Sequence, residues 1–257
     1  MIVQRDTAFQ LYSGCEAARV FANLTTEPRP MRAPISVIIP TLNAAPHLAE
    51  TLARIMEGVD AGLVRELIVS DGGSTDDIVR LADIIGAQLV VGDAGRGAQL
   101  ARGAEAAQGA WLLFVHADTW LPEGWSAAAL SHLTHPDQAL VFSLSFRGGG
   151  GWARMTSLWA NLRTRAFGLP YGDQSLLISR ALYDTVGGFA HIALMEDVDM
   201  ARRLGRARIV LSQSAVQTDP SRYQTRGWLR QGSRNLWRLV QYLAGADPAR
   251  LSRSYDR

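Results

Sequence analysis

Short apolar runs alternate with helical patterns along the first half of the chain. The apolar runs are rich in Ile, Val and Leu and are almost uninterrupted by polar residues. Such strands, alternating with helices, are typical of a parallel sheet that is covered on both faces. We therefore predict strands at residues 35–40, 66–70, 88–91 and 111–116, separated by helices near residues 46–58, 76–86 and 98–108.

The pattern changes after Pro122. The segment "ALVFSLSF" alternates between large apolar and smaller residues, which predicts a half-buried antiparallel strand. A glycine run at residues 148–151 follows, and then a predicted helix and the loop "FGLPYGDQS". The side chains expected on the buried face of the strand are Leu140, Phe142, Leu144 and Phe146.

The C-terminal stretch is predicted to be helical and to carry a stripe of arginines. Arginines that recur every four residues beside apolar side chains indicate an amphipathic helix with a basic face. A solvated basic face is one interpretation, and contact with an anionic membrane surface is the other. The stripe consists of Arg226, Arg230, Arg234 and Arg238, beside Leu229, Leu236, Val240 and Leu243.

A Pro-rich linker, "EPRPMRAP" at residues 27–34, separates an N-terminal extension from the body of the protein. We expect residues 1–33 to be disordered or to reflect a mis-called start. Residues 34–215 are predicted to form the main domain, with a mostly parallel sheet. Residues 216–257 are predicted to form a helical segment packed on that domain.

The composition suits one large α/β domain. Hydrophobic residues make up 47% of the 257 positions, and charged residues make up 19%, which excludes a disordered chain. The net charge of +2 gives no indication of nucleic acid as a partner. Cys15 is the only cysteine, so a reducing, cytoplasmic setting is expected. No apolar run approaches the ~18 residues of a transmembrane helix.

Polar and glycine residues follow the predicted strands of the first half. Ligands of open α/β sheets bind at the carboxyl ends of the strands, so these residues form the candidate site. Their small polar groups, glycine turns, arginine and acids suit a nucleotide with a charged diphosphate. They are Pro40, Thr41 and Asn43, then Asp71, Gly72, Gly73 and Ser74, then Arg96 and Gly97, and finally His116 and Asp118.

Asp71 carries the most specific signal. An acid at the end of a second parallel strand can accept hydrogen bonds from a ribose hydroxyl or a base N–H. Gly72 and Gly73 allow the backbone to approach a ligand closely. The spacing of Ser74 and Asp77 is that of a capping box, so the acids that follow Ser74 are predicted to begin a helix.

The segment "GDAGRGAQLARG" is not a dinucleotide fingerprint, because its spacing differs and it follows the third strand. We favour a loop in which Arg96 and the glycines lie over phosphates, and a plain helix start is the alternative.

His116 and Asp118 have two interpretations, a metal site or a simple strand end. One carboxylate can be sufficient for Mg²⁺ bound to substrate phosphates, and a neutral imidazole suits Mn²⁺ better.

The segment "LMEDVDMARRLGR" places three acids at the start of a predicted helix. Asp199 has Arg202 and Arg203 three and four residues later, which predicts a surface ion pair. Glu196 and Asp197 have no such neighbour. A carboxylate at this position, pointing into a cleft, could take a proton from a hydroxyl.

These segments, in this order, resemble the family 2 glycosyltransferases of GT-A fold. The resemblance rests on "SVIIPTLNA", "VSDGGSTDD", the segment that ends in "VHADT", and "LMEDVDMARRL". It runs from about residue 35 to the C-terminus. The chain is most similar to a bacterial subgroup that has His-Ala-Asp at the metal motif and is labelled arsenosugar-type glycosyltransferases.

The resemblance implies an inverting transferase with a nucleotide-sugar donor, such as a UDP-sugar, and a divalent cation, Mn²⁺ or Mg²⁺. It places Thr41, Asn43 and Asp71 at the nucleoside. It also places Arg96 at the phosphates and Asp118 at the metal. Asp197 is the implied general base, beside Glu196. Arg222, Arg226 and Trp228 fall where many members have an Arg-Trp motif near the diphosphate or acceptor.

Two residues depart from the family pattern. His116 replaces the usual first acid of the metal motif, and Asn43 stands where many relatives have Glu. The acceptor hydroxyl is unspecified. Its pocket is expected within residues 145–195, where Trp152, Trp159 and Tyr171 could stack on a sugar or fill the core.

Two other functions remain open from the sequence. A sugar nucleotidyltransferase would normally have a Gly-rich, basic loop after strand one, and "PTLNAAPH" has neither feature. A non-catalytic domain of the same fold could bind a membrane or a partner through the arginine stripe. The expected location is cytoplasmic, with peripheral contact at the inner face of the membrane as a possibility.

Overall fold

The computed structural model describes residues 33–253. The predicted extension, apart from Ala33, lies outside the described residues. Eight strands form one sheet in the order β3-β2-β1-β4-β7-β6-β8-β5. They are β1 (Ile35–Thr41), β2 (Val64–Asp71), β3 (Gln88–Val91), β4 (Trp111–Phe114), β5 (Thr119–Trp120), β6 (Ala139–Phe146), β7 (Leu176–Ser179) and β8 (Ile209–Thr218).

The helices surround this sheet. The first half contains α1 (Ala45–Asp60), α2 (Ile78–Ile84) and α3 (Arg96–Ala106). The second half contains α4 (Trp125–His132), α5 (Gly150–Phe167), α6 (Arg180–Thr185), α7 (Glu196–Leu204), α8 (Ser221–Arg226), α9 (Trp228–Leu243) and α10 (Pro248–Arg253). Among residues 33–253, no helix has the length and apolarity needed to span a membrane.

The parallel half of the sheet confirms the pattern in the sequence. β1 pairs in parallel with both β2 and β4, and β2 pairs in parallel with β3. Successive side chains of β1 pack in the core clusters on opposite faces of the sheet, because side chains alternate across a strand. Val37 and Ile39 pack in one core cluster, whereas Ile38 packs in the other. Both faces are therefore covered, and the strand ends meet at one edge.

β6 differs from its predicted form. It lies between two neighbours, antiparallel to β7 and parallel to β8. Its first four residues, from Ala139 to Phe142, are all buried. The prediction of a half-buried antiparallel strand is therefore wrong for this part of β6. The alternation holds only near its end, where Leu144 is buried between half-buried serines.

Within the described residues, the predicted helical character of the C-terminal segment is found from residue 221 to residue 253. β8 extends beyond residue 215 to Thr218, and α8 begins at Ser221. The helix α9 packs against α5, α8 and α10. This arrangement places the C-terminal helices beside the loop that follows β8.

Candidate functional site

A cleft of about 660 Å³ lies at the carboxyl ends of β1 and β4. Eight of the fifteen residues predicted to take part in catalysis, donor binding or metal binding line it, although they come from four separate segments. These are Pro40, Thr41, Asn43, Arg96, His116, Asp118, Glu196 and Asp197. Seven others are not among its lining residues: Asp71, Gly72, Gly73, Ser74, Gly97, Arg226 and Trp228.

Asp71 is 2% exposed, and hydrogen bonds from its own turn and from Thr41, at the end of β1, occupy its carboxylate. One oxygen accepts from the Thr41 hydroxyl at 2.9 Å and from Ser74 Oγ. The other accepts from the backbone N–H groups of Gly73 at 2.8 Å and Ser74 at 2.7 Å. Burial opposes ionisation, but these hydrogen bonds outweigh it and hold the pKa of Asp71 below its usual value. Asp71 is therefore an ionised group that fixes this turn.

The Asp71 turn positions Asn43 in the cleft. The Asn43 backbone N–H donates to Ser74 Oγ at 2.8 Å, and the Asn43 side chain accepts from the Thr75 N–H at 2.8 Å. Asn43 has a φ of 52°, a left-handed conformation that Asn tolerates better than most residues. The residues that follow β2 thus hold the backbone and side chain of Asn43, which follows β1.

The predicted capping box at Ser74 and Asp77 is wrong. α2 begins only at Ile78, and its N-cap, Asp77, makes no side-chain capping hydrogen bond. The hydroxyl of Ser74 instead donates to Asp71. Asp76 accepts from the backbone N–H of Ala45, at the start of α1, at 2.8 Å. Asp76 also accepts from the backbone N–H of Ile78, the first residue of α2, at 3.3 Å. The acids therefore lie at the start of α2, as predicted, and Asp76 links the N-termini of α1 and α2.

Arg96 is the first residue of α3, as the helix-start interpretation predicted, and its side chain lines the cleft. Its guanidinium lies 3.6 Å from a carboxylate oxygen of Glu196. Burial lowers its pKa, but Glu196, Asp197 and Asp118 raise it by more. Gly97 has a packing role, because a Cβ there would lie 2.3 Å from the carbonyl oxygen of Ala190. The glycine lets α3 approach the segment that precedes α7.

Glu196 and Asp197 begin α7 but have different surroundings. Glu196 is 1% exposed, and burial together with Asp197 raises its pKa to about 7, against the effect of Arg96. Asp197 is half-buried, and one of its oxygens accepts from the Gly172 N–H at 2.8 Å. The preceding residue, Met195, has a φ of 68°, which turns the chain into the helix. The predicted ion pair on the same helix is confirmed at 2.6 Å between Arg203 and Asp199.

The imidazole of His116 packs against the loop at Gly172. A Cβ at Gly172 would lie 2.4 Å from His116 Nε2, so the ring needs a glycine there. Burial, with Arg96 and Arg222 nearby, lowers the pKa of His116 well below its usual range. The ring is therefore neutral at neutral pH and can act as a hydrogen-bond partner or a nitrogen ligand.

The sequence did not single out Asp173, which also lines the cleft. Burial raises its pKa to about 6, and Asp197 and Asp118 raise it as well, against Arg163. One of its buried oxygens, Oδ1, has no hydrogen-bond partner. The only signal in the sequence was an acid in a glycine-containing loop, and its proximity to Asp118 and Asp197 comes from the fold.

The metal-ligating side chains of the cleft fit a divalent cation that is held mainly by substrate. Within residues 33–253, no three His, Cys, Asp or Glu side chains converge as a metal site. Asp118 lines the cleft, and the unpartnered oxygen of Asp173 shows that negative charge there is incompletely compensated. One or two carboxylates plus substrate phosphates are a common arrangement for Mg²⁺. The residues present therefore suit a cation that arrives with a diphosphate.

The C-terminal helices form another wall of the cleft. This wall includes Arg222 and Arg238, which were named from the sequence, and also Tyr223, Gln231 and Asn235, which were missed. Trp228 lies behind it, with its ring 5.0 Å from that of Tyr223 and 5.1 Å from that of Phe146. Arg226 is half-buried in the last turn of α8.

The predicted solvated arginine face of α9 is partly wrong. Arg238 is 4% exposed and lines the cleft, whereas the apolar residues beside the stripe are exposed.

The three aromatic residues expected near an acceptor lie in different places. Tyr171 lines the cleft under the guanidinium of Arg163, whereas Trp152 and Trp159 are about half exposed on α5.

Comparison with known sequences identifies the family. The sequence profile described as "Glycosyl transferase family 2" matches residues 36–195. Proteins described as "PGL/p-HBAD biosynthesis glycosyltransferase", from Mycobacterium bovis and Mycobacterium tuberculosis, are 32% identical over 175 residues. The match covers 62% of this chain and 64% of those relatives, so it spans less than two thirds of their length.

Solved structures agree with this family. Glucosyl-3-phosphoglycerate synthase from Mycobacterium tuberculosis, in complex with phosphoglyceric acid, is 28% identical with a TM-score of 0.51, covering 73% of this chain and 70% of that chain. The same synthase has also been solved with Mn²⁺, UDP and glucosyl-3-phosphoglycerate, at 26% identity, a TM-score of 0.50 and the same coverage.

A second structure supports the fold alone. S. aureus TarS 1-349 is 17% identical with a TM-score of 0.57, and the match covers 85% of this chain and 68% of that chain. The central mixed sheet with helices around it is thus the GT-A-like α/β fold predicted from the sequence. The chain belongs to glycosyl transferase family 2.

Proposed function

We propose that this protein is an inverting glycosyltransferase that moves a sugar, as a hexosyl group, from a UDP-sugar to an acceptor hydroxyl. The observation that carries the proposal is the convergence of Arg96, Asp118 and Asp197 in one cleft at the strand ends. The three residues are distant in sequence, and they supply a cation for phosphate, a ligand for a metal and a base. A sugar nucleotidyltransferase has no comparable feature in its favour.

The donor would lie along the ends of β1 and α3. Pro40, Thr41 and Asn43 would contact the nucleoside, in a conformation that the Asp71 turn maintains. Gly72, Gly73 and Ser74 would act through that turn. Arg96, at the N-terminus of α3, would contact the diphosphate, where the helix dipole also favours negative charge. The UDP complex of the mycobacterial synthase supports uridine as the base.

Asp118 would hold a divalent cation, Mn²⁺ or Mg²⁺, together with the diphosphate of the donor, and His116 would lie beside it. When bound, such a cation stabilises negative charge on a leaving diphosphate. The neutral state of His116 makes its ring suitable as a nitrogen ligand and favours Mn²⁺.

Asp197 would take the proton of the acceptor hydroxyl. The oxygen would attack the anomeric carbon on the side opposite the leaving diphosphate, so the configuration inverts. The hydrogen bond from Gly172 fixes one oxygen of Asp197. Glu196 lies beside Asp197 and pairs with Arg96. The guanidinium of Arg96 thus supplies a counter-charge for the buried Glu196.

We further propose that the chain belongs to the subgroup with His-Ala-Asp at the metal motif, the arsenosugar-type label. Its proposed location is the cytoplasm, where it would contact the inner face of the membrane peripherally. The single cysteine supports a reducing compartment.

A thermal-shift panel tests the proposal. UDP, GDP, CDP and dTDP would each be added with Mn²⁺, Mg²⁺ or EDTA. A ligand at ~100 times its Kd stabilises the native state by about 2.7 kcal/mol, so a true site gives a clear shift. We expect a shift with UDP that needs the metal and is weakened in Asp118→Ala but not in Asp60→Ala, an exposed acid at the end of α1. The absence of a shift with every nucleotide would favour the non-catalytic alternative.

A further inference from the structure

Large apolar side chains are exposed on two neighbouring helices, α5 and α9. Of the eighteen exposed large hydrophobic residues within residues 33–253, eleven belong to these two helices. The two helices pack against each other, and we call this exposed surface the α5–α9 face. It consists of Trp152, Met155, Leu158, Trp159, Leu162 and Phe167 on α5, and Leu229, Leu236, Trp237, Val240 and Leu243 on α9.

The amphipathic pattern of α5 is inverted relative to an ordinary surface helix. Met155, Leu158 and Leu162 recur at helical spacing on its exposed side, at 49%, 70% and 52% exposure. Its buried side carries small residues such as Ala153 and Ala160. Helices on a protein surface normally direct their large apolar residues to the core. This arrangement marks a surface that is built to be covered.

The charged side chains on the two helices of the α5–α9 face have one sign. Neither α5 nor α9 contains an Asp or a Glu. Arg154 and Arg165 are exposed on α5, and Arg230 is exposed on α9. A helical face that combines tryptophan and leucine with flanking arginines suits the headgroup region of an anionic bilayer. Two copies of the same basic face would repel each other in a symmetric dimer.

The other side of α9 lines the cleft, and the other side of α5 contacts a residue that lines it. Gln231 and Asn235 line the cleft from α9, whereas Leu236 and Val240 are exposed on the same helix. The guanidinium of Arg163, on the buried side of α5, lies 3.4 Å from the ring centre of Tyr171, which also lines the cleft. A helix is about 10–12 Å across, so the cleft lies roughly one helix diameter from the α5–α9 face.

We infer that the α5–α9 face docks on an anionic bilayer and that the acceptor is the hydroxyl of an amphipathic molecule held in that bilayer. The docking follows from the exposed apolar residues and their arginines. The choice of acceptor rests in addition on the proposed transferase function. Docking would bring the cleft to the lipid surface, so the acceptor could present its hydroxyl while its apolar part stays in the membrane.

Vesicle co-sedimentation of the full chain tests the docking. We expect binding to vesicles with phosphatidylglycerol, little binding to phosphatidylcholine alone, and weakening by salt. The double variants Leu158→Ser/Leu162→Ser and Leu236→Ser/Val240→Ser should each bind about tenfold more weakly. A matched control is Val79→Ser/Ile84→Ser on α2, where the residues are 57% and 68% exposed. Equal loss in this control would overturn the docking surface.

The same preparations, in the UDP and Mn²⁺ thermal shift, separate this inference from the proposed function. A nucleotide shift without vesicle binding overturns docking and leaves the function intact. Vesicle binding without a nucleotide shift supports docking and rejects the function. A concentration-dependent dimer that the same substitutions dissociate, with no vesicle binding, would show that a second copy covers the face.

A separate measurement tests the claim that the acceptor is held in the bilayer. Transfer to a long-chain alkyl acceptor in vesicles should fall in the α5 and α9 double variants. Transfer to a short-chain, water-soluble acceptor with the same headgroup should not change, because the substituted residues do not line the cleft. Equal rates of the variants and the unsubstituted protein with the vesicle-held acceptor would overturn this part.

Discussion

Asp197 and Glu196 are adjacent in the chain, but only Asp197 has the accessibility expected of a base that acts on a bulky acceptor. Asp197 is half-buried at the cleft, and its carboxylate is held by the N–H of Gly172. Glu196 is 1% exposed and faces Arg96. Protein surroundings rather than residue type therefore divide the two roles.

The substitution Asp197→Asn should separate binding from chemistry. An amide keeps the size of the side chain and can still accept from Gly172, but it cannot take a proton. We expect UDP binding to be retained and kcat to fall by ~10²-fold or more. Calorimetry with UDP and steady-state kinetics would measure the two effects. A loss of UDP affinity equal to that of Asp118→Ala would contradict the assigned roles.

The raised pKa of Glu196 has a consequence for stability. The pKa is about 7 in the folded protein and 4.5 in its reference state, so the folded state binds more protons between these values. Stability should therefore fall as pH rises from about 4.5 to 7.

The variant Glu196→Gln should lose less stability than the unsubstituted protein between pH 5 and pH 8, because the amide has no proton to release in that range. Urea unfolding at both pH values measures the difference. The control is Glu57→Gln. Hydrogen bonds from Ser126 and Gly124 outweigh burial and hold the pKa of Glu57 below 4.5, so this carboxyl is ionised throughout the range and its removal should cost nearly the same stability at pH 5 and pH 8. The same slope in both variants would exclude this account of Glu196.

At the scale of elements, Gly97 links α3 to the segment before α7. A Cβ at this position would lie 2.3 Å from the Ala190 carbonyl oxygen and 2.9 Å from that of Ile192. These are backbone atoms, so the segment itself must move. Because this segment leads to Glu196 and Asp197, helix packing and site geometry are coupled here.

Gly97→Ala should destabilise the protein by about 2 kcal/mol and weaken UDP binding. The matched control is Gly151→Ala. Gly151 is also the second residue of a helix, but nothing lies within 4 Å of its added Cβ. That control should be neutral or stabilising by about 0.5–1 kcal/mol. Denaturant unfolding of both variants is the measurement, and equal effects would show that packing against Ala190 is not the cause.

The sequence predicted the elements whose form is set locally. β1 and β3 and their neighbouring helices follow from apolar runs and helical spacing, and their ends moved by only a few residues. β6 and α9 were harder, because their exposure depends on distant partners. β6 is buried since β7 and β8 flank it, and Arg238 is buried since α9 borders the cleft. The pattern along one segment does not contain that information.

At the scale of the whole molecule, the cleft joins the parallel half of the sheet to the C-terminal helices. The rule that ligands bind at the carboxyl ends of parallel strands identified the first wall, which includes Thr41 and Asp118. It could not identify Asp173 or Gln231, because these residues reach the cleft through loops and helices far along the chain. The family profile matches residues 36–195, so the C-terminal wall lies outside the matched segment.

The two walls predict how hydrogen exchange should respond to the donor. UDP with Mn²⁺ should slow exchange at residues 40–44 and also at residues 222–238, because both segments line one cleft. Asp118→Ala should lose both effects together, since the cation and diphosphate would no longer be held. Exchange measured by mass spectrometry would show this. Protection confined to residues 40–44 would mean that the C-terminal helices contact only the acceptor. Variation in those helices would then change acceptor choice and leave donor affinity unchanged.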